Sequence, residues 1–293
     1  MSIAPGNVVA AAAVGGQVGA AGAAHRYYRR FTPIERVMHA FLMLTFVGCA
    51  LSGLPLIYAE QAWAQSLARL LGGFEGAGLV HRICAFVMIV VFVSHVVLVF
   101  YKAIRGGRVM AMLWGPDSMV PQPQDIVDIW RNFKWFIGRG PRPQFDRWTY
   151  WEKFDYWAVF WGMFIIGGSG LLLWFPVFFS RLLPGWMFNV ASLVHGEEAL
   201  LAVGFIFTFH FFNGHLRPEK FPMDTVIFTG RISEHELKEE RQIELQRLIR
   251  DGKLAAKETT APTEESKWFG WIVGGTALVL GVITVVLIVY SIF

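Results

Sequence analysis

Apolar residues gather into five long runs, near Val37–Tyr58, Leu79–Tyr101, Tyr156–Phe179, Met187–Leu216 and Trp268–Phe293. Each can cross a hydrocarbon core of ~30 Å, which takes about 20 helical residues. Between the second and third runs the pattern changes: Ile126, Ile129, Trp130, Phe133, Phe136 and Ile137 recur at helical spacing among basic residues and tryptophans. That predicts an amphipathic helix lying in the membrane interface, either as an anchor with no chemistry or as the roof of a small-molecule pocket. A second interfacial segment is expected around Trp63–Leu71. After the fourth run, Ser233-Glu234-His235-Glu236 is a capping-box pattern that starts a charged helix ending near Arg250,. Acidic and basic residues alternate along it, so a mostly solvated face is expected, with His235 on the surface.

These elements predict an all-α membrane protein, a four-helix transmembrane bundle plus a fifth C-terminal transmembrane helix. The chain then divides into a flexible Ala/Gly-rich tail (1–24), the four-span domain (25–232), a charged helix and linker (233–267) and a C-terminal anchor helix (268–293). Residues 1–24 lack the basic start of a secretory signal, because the first basic cluster follows the apolar stretch,. At 55% apolar residues and a mean hydropathy of +0.46, the chain is too apolar for an ordinary soluble domain,.

The net charge of +4 changes the picture only through its distribution. Of the 26 basic residues, all but Arg69, Arg82 and Arg181 lie before the first span or in the second and fourth connections. The positive-inside rule then puts the N-terminus in the cytoplasm and the C-terminus outside a bacterial-type inner membrane. Basic residues placed beside membrane ends point to lipid and not to nucleic acid. Cys49 and Cys84 fall inside spans and imply no disulfide framework, and no C-x-x-C-H is present for c-type haem attachment,.

The chemistry-bearing residues are histidines inside spans, where an ionisable group is costly unless paired or ligated. On the fourth span, His195 and His210 are fifteen residues apart, roughly 22 Å along a regular helix and about 60° around it,. On the second, His81 and His95 are fourteen apart, about 40° from eclipsed,. Neutral imidazole is a common axial ligand of haem iron, so two helices with matched pairs suggest two stacked haems. His81 and His195 have no competitor at the outer level. At the inner level His39, His95 and His210 are all candidates, with His215 at the boundary, and depth alone favours His95 with His210. The third span has no histidine and reads as a packing helix.

The spacings resemble those of the cytochrome b core of quinol-oxidising bc-type complexes. A resemblance covering most of residues 31–241 is to the gamma subunit of membrane formate dehydrogenases and the related hydrogenase cytochrome b. It rests on Ile34-Glu35-Arg36-Val37-Met38-His39 through Leu51-Ser52-Gly53, on Val80-His81, on His195 and His210, and on Phe228-Thr229-Gly230-Arg231-Ile232-Ser233. Carried over, it implies His39 with His210 at the inner haem and His81 with His195 at the outer. The Phe212-Asn213-Gly214-His215 stretch, continuing to Met223, is more like cytochrome b subunits found beside multihaem c-type cytochromes. The fifteen-residue spacing, the additional His95 and the appended fifth span depart from the formate dehydrogenase pattern.

The resemblance implies a di-haem b-type cytochrome subunit exchanging electrons with the quinone pool, its partner subunit carrying iron–sulfur clusters or c-type haems. His95 and His215 are the pair a third haem would use; otherwise His215 is a candidate to hydrogen-bond a quinone. Arg36 and Arg82 are candidates to pair with haem propionates, and Glu35, Arg36, His39 and His215 to relay protons. Gly48, Gly53 and Gly204 are candidates to give a flat macrocycle room, with ordinary helix packing as their alternative. Rival readings are a haem-free anchor subunit and a proton-coupled transporter. Transporters of that kind usually show repeats or broken helices in corresponding halves, and none is read here.

Overall fold

The structure, a computed structural model, describes residues 26–292, so the tail expected over 1–24 lies outside the described residues. Strand β1 (Tyr27–Arg29) leads into α1 (Pro33–Ile57), the short α2 (Ala62–Leu70) and the long α3 (Gly73–Arg105). Then come α4 (Pro123–Phe136), α5 (Tyr150–Trp174) and α6 (Trp186–Leu216). The chain ends through β2 (Arg231–Ser233), α7 (Glu234–Glu240), α8 (Gln242–Arg250), β3 (Glu258–Thr259) and α9 (Glu264–Ile292). Helices α1, α3, α5, α6 and α9 are each long and apolar enough to cross a membrane, giving a mostly helical, multi-pass architecture. Large apolar side chains cover their outer faces, as a lipid solvent permits,.

Helix starts follow local chemistry. Thr32 caps α1, with Pro33 in its first turn and Glu35 closing the capping box,. The same box, Thr149 with Glu152, starts α5 six residues before the hydropathic run begins. That early start brings Glu152, Lys153 and Asp155 into the helix.

A small antiparallel sheet, ordered β2-β1-β3, departs from the all-α expectation. Tyr28 pairs with Ile232 on one side and Glu258 on the other. Tyr28, Val226, Ile232, Leu237 and Leu245 form a core beneath it. The sheet therefore ties residues 27–29 to the segment expected to be a separate helix and linker. Nor is that helix mostly solvated. It breaks at Arg241, and its inward face carries Arg241 and Glu244 into a buried ion network. Arg241 makes two 2.8 Å bonds to Glu152, and Arg30 reaches Glu244 at 3.0 Å. Burial, with Arg241 and Arg147 nearby, pushes Arg30 down to about 10. Burial opposes ionisation of Glu244, but Arg30, Arg147 and Lys257 outweigh it and hold the carboxyl below the usual range. His235 is exposed, as expected.

Helix α4 is polar on the side facing the protein and apolar on the side facing away. Asp125 accepts from Lys153 at 2.9 Å and Asn132 donates to Tyr150 at 2.7 Å, while Ile126 and Phe136 are 71% and 68% exposed. A polar stripe held inward and an apolar stripe turned outward is the arrangement of a helix half-sunk in a bilayer surface.

Helix α9 packs on the bundle itself. Gly281 admits Phe207 and Phe211 of α6, and Gly274 admits Phe228 and Met223. Trp63 of α2 donates to Ser291 near the other end of α9 at 2.9 Å.

Candidate functional site

The first four spans surround a cavity of about 1930 Å³, roughly twice the upper end of the ~300–1,000 Å³ range of single small-molecule sites. Its end away from the sheet, the outer end, is lined by Gly53, His81, Arg82, Gly170 and His195. The end toward the sheet, the inner end, is lined by His39, Asp155, His210, His215, Lys220 and Arg241.

His81 and His195 face each other across the outer end, with ring centres 6.0 Å apart and planes at 77°. His81 Nδ1 lies 3.1 Å from the Cys49 carbonyl and 3.4 Å from Ser52 Oγ. His195 Nδ1 lies 2.9 Å from the Ile166 carbonyl and 3.3 Å from Ser169 Oγ. A carbonyl only accepts, so Nδ1 carries the proton in both rings and the Nε2 lone pair is left for another partner. Among the described residues no hydrogen bond reaches either Nε2.

At the inner end His210 Nδ1 lies 2.9 Å from Asp155 Oδ2, again leaving Nε2 free. The His215 ring stands 6.5 Å away at 88°. His39, from α1, lies within electrostatic range of both. Two buried polar atoms here have no partner in the structure, Asp155 Oδ1 and His215 Nδ1. Below them Lys220 meets Asp224, Glu236 and Glu240 at 3.0–3.2 Å. Burial would lower this ammonium's pKa, but the three carboxylates raise it above the ordinary value.

The fifteen-residue spacing on α6 has a structural answer. Ile206–His210 and Phe212–Leu216 are π-helical, as is Met163–Gly167 on α5. A π turn holds one residue more than an α turn. The extra residue is thereby absorbed, and His210 is spared the ~100° rotation that it would cause in a regular helix.

The other candidates separate clearly. His95 does not line the cavity; its Nε2 lies 3.0 Å from the Tyr156 hydroxyl, and it is Tyr156 that lines the wall. Gly53 and Arg82 are on the wall, whereas Gly48, Gly204 and Arg36 are not. Gly48 packs against Cys84 Sγ, Gly204 has nothing within 4 Å of its Cβ position, and Arg36 lies against Gly230. Glu35 is occupied in the α1 capping box and is likewise off the wall. No residue of α4 lines the cavity.

Sequence reasoning missed what α5 contributes. Read as a packing helix, it supplies Asp155, Ile166, Ser169 and Gly170 to the histidines of α6. Asp155 carried a usable signal, an acid one residue ahead of an apolar run; a carbonyl acceptor carries none.

No protein-family model matches the chain, and no curated protein matches it.

Proposed function

We propose that the chain is a di-haem b-type cytochrome subunit, carrying electrons between a redox partner and the quinone pool. The observation that carries this reading is the His81–His195 pair. Its ring centres lie 6.0 Å apart and each Nδ1 is held by a backbone carbonyl, so both residues would have Nε2 to offer to one shared metal. Among the described residues no three His, Cys, Asp or Glu converge on one point. A bare structural ion usually takes four protein ligands; two facing imidazoles in an apolar cavity fit a metal that brings its own equatorial donors, as haem does.

When bound, haem supplies a one-electron couple whose potential follows its axial ligands and their hydrogen bonds. His81 and His195 would hold the outer group, each kept in one tautomer by a backbone carbonyl. His210 would hold the inner group, its ring oriented by the Asp155 carboxylate 2.9 Å from Nδ1, as such a carboxylate does for a metal-bound histidine. His39 is its partner in preference to His95, whose Nε2 is taken by Tyr156. With His95 off the wall, two haems are favoured over three.

Quinone reduction needs protons as well as electrons. On this reading His215, whose buried Nδ1 lacks a partner, would donate to a quinone oxygen, and Asp155, whose Oδ1 is likewise unpartnered, would carry protons toward Asp224 and Glu240, which line the cavity floor. Arg82 lines the outer end, where a guanidinium binds carboxylates bidentately. The basic residues around the sheet support a cytoplasmic inner end in a bacterial-type inner membrane. The substrate chemistry then belongs to a partner subunit bearing iron–sulfur clusters or c-type haems.

The test is a reduced-minus-oxidised spectrum of the purified chain with haem-to-protein stoichiometry. A ratio of two is expected; a chain with no Soret band is a transporter or anchor, and the proposal fails. His39→Ala is expected to remove the inner haem and His95→Ala to leave both.

A further inference from the structure

The two halves of the bundle repeat one another around their outer histidines, contrary to the expectation of no internal repeat, which rested on hydropathy alone. Helix α1 carries Ser52-Gly53, and α3 follows with Leu79-Val80-His81; α5 carries Ser169-Gly170, and α6 follows with Leu193-Val194-His195. In each half the imidazole lies on the glycine of the preceding span. A Cβ at Gly53 would stand 3.1 Å from His81 Cε1, and one at Gly170 would stand 2.9 Å from His195 Cε1. In each half the acceptor of Nδ1–H is the carbonyl four residues before that glycine, Cys49 or Ile166. In each half the serine hydroxyl donates to the carbonyl four residues back, Gly48 or Ile165, which turns an oxygen lone pair toward the ring. Corresponding distances around the two rings agree to within a few tenths of an ångström.

The register continues toward the inner end. His39 precedes Gly53 by fourteen residues and Asp155 precedes Gly170 by fifteen; His95 follows His81 by fourteen and His210 follows His195 by fifteen. Each interval of fifteen contains a π turn, Met163–Gly167 on α5 and Ile206–His210 on α6. The second half is thus the first with one residue added to each helix and stored in a π turn.

We propose that α1–α3 and α5–α6 are two copies of one helical hairpin, and that Ser52-Gly53 and Ser169-Gly170 form a duplicated imidazole seat. These four are positioning residues: they set the tautomer and tilt with which His81 and His195 approach one shared metal. The inference rests on the haem reading above. A methyl group at Gly170 collides with ring carbon, and one at Gly53 crowds it, so each presses the imidazole away from its carbonyl. Removing either serine hydroxyl takes away one of two acceptors of Nδ1–H, which weakens the ligand's basicity without emptying the site.

The experiment uses the full-length chain purified in detergent, and reads haem stoichiometry, low-spin EPR signals and the midpoint potential of each haem. The outer haem is identified as the one lost in His195→Ala. Gly53→Ala and Gly170→Ala are each expected to remove or displace the outer signal alone. Ser52→Ala and Ser169→Ala are each expected to keep full occupancy and raise the outer potential by similar amounts, the inner haem staying put. These serine variants keep the test open if the glycine variants fail to fold. An outer potential that ignores both serines, or that answers to one copy only, overturns the seat while leaving the haem reading intact. A wild-type chain without haem overturns both.

Discussion

The two ends of the central cavity hold histidines by different means. At the outer end each ring leans on a neutral backbone carbonyl, and the two rings are near copies of one another. At the inner end His210 leans on a carboxylate, His39 and His215 crowd the same space, and a lysine with three acidic partners forms the floor. A carbonyl fixes a tautomer without adding a charge. A carboxylate raises ligand basicity and adds a group that exchanges protons. On the proposed haem reading, the outer end would hold an electron and the inner end would join electron movement to proton movement.

The largest expected effect separates the ends outright. His195→Ala should remove the outer haem and leave the inner one, because Asp155, His210 and His39 keep their places. His210→Ala should do the reverse. Spectra with stoichiometry on both variants check this, and loss of both haems from either single change would show that the two ends are not independent.

The five long apolar helices were legible because hydropathy is a property of the chain alone. So were the caps at Thr32 and Ser233, whose partners lie three residues away. The sheet was not, since strands of two or three residues are too short to show an alternating pattern. The seat of each histidine was invisible for a different reason: its acceptor is a main-chain oxygen, and any residue at position 49 or 166 supplies one. The spacing on α6 was visible as fifteen residues, but its meaning depended on a π turn that leaves no compositional mark. Depth alone favoured His95 over His39; the Tyr156 hydroxyl, 3.0 Å from His95 Nε2, is a tertiary contact that depth does not show.

The next effect falls on the inner end through its support. Glu244 is 1% exposed, with Arg30 at 3.0 Å, Arg147 at 3.4 Å and Lys257 at 3.5 Å. Glu244→Ala leaves buried guanidinium groups uncompensated, a loss of about 3–5 kcal/mol, to be read by denaturant or thermal unfolding in detergent. Because the folded-state pKa of Glu244 is depressed, its contribution is fully present above the unfolded-state value and is lost as pH falls through the folded one. Stability of the wild type should decline on acidification in that window, and the Glu244→Ala variant should decline less. The inner haem should be released before the outer in both.

A smaller change tests the carboxylate itself. Asp155→Asn keeps the size of the side chain and removes its charge, so His210 loses a strong acceptor. Loss of such a partner typically costs about 10–100-fold in metal affinity. The inner haem should bind correspondingly more weakly, at a raised midpoint potential, and the outer potential should not move. Equal shifts at both haems would mean that Asp155 acts through the general field of the bundle.

The smallest effect lies outside the cavity. Helix α4 turns Ile126, Trp130, Phe133 and Phe136 away from the protein, with Arg131 and Lys134 beside them and Lys134 5.4 Å over the Trp130 ring. Basic residues near an anionic leaflet contribute about 1 kcal/mol each. Hydrogen exchange of Pro123–Phe136 should therefore slow when the protein is moved from neutral to anionic vesicles, and Arg131→Glu with Lys134→Glu should abolish that difference. No residue of α4 lines the cavity, so haem content should be unchanged. Yet Asp125 holds Lys153, two residues from Asp155, at 2.9 Å, so on the proposed reading a change that loosens α4 should disturb the inner haem before the outer. A shift confined to the outer haem would contradict this route.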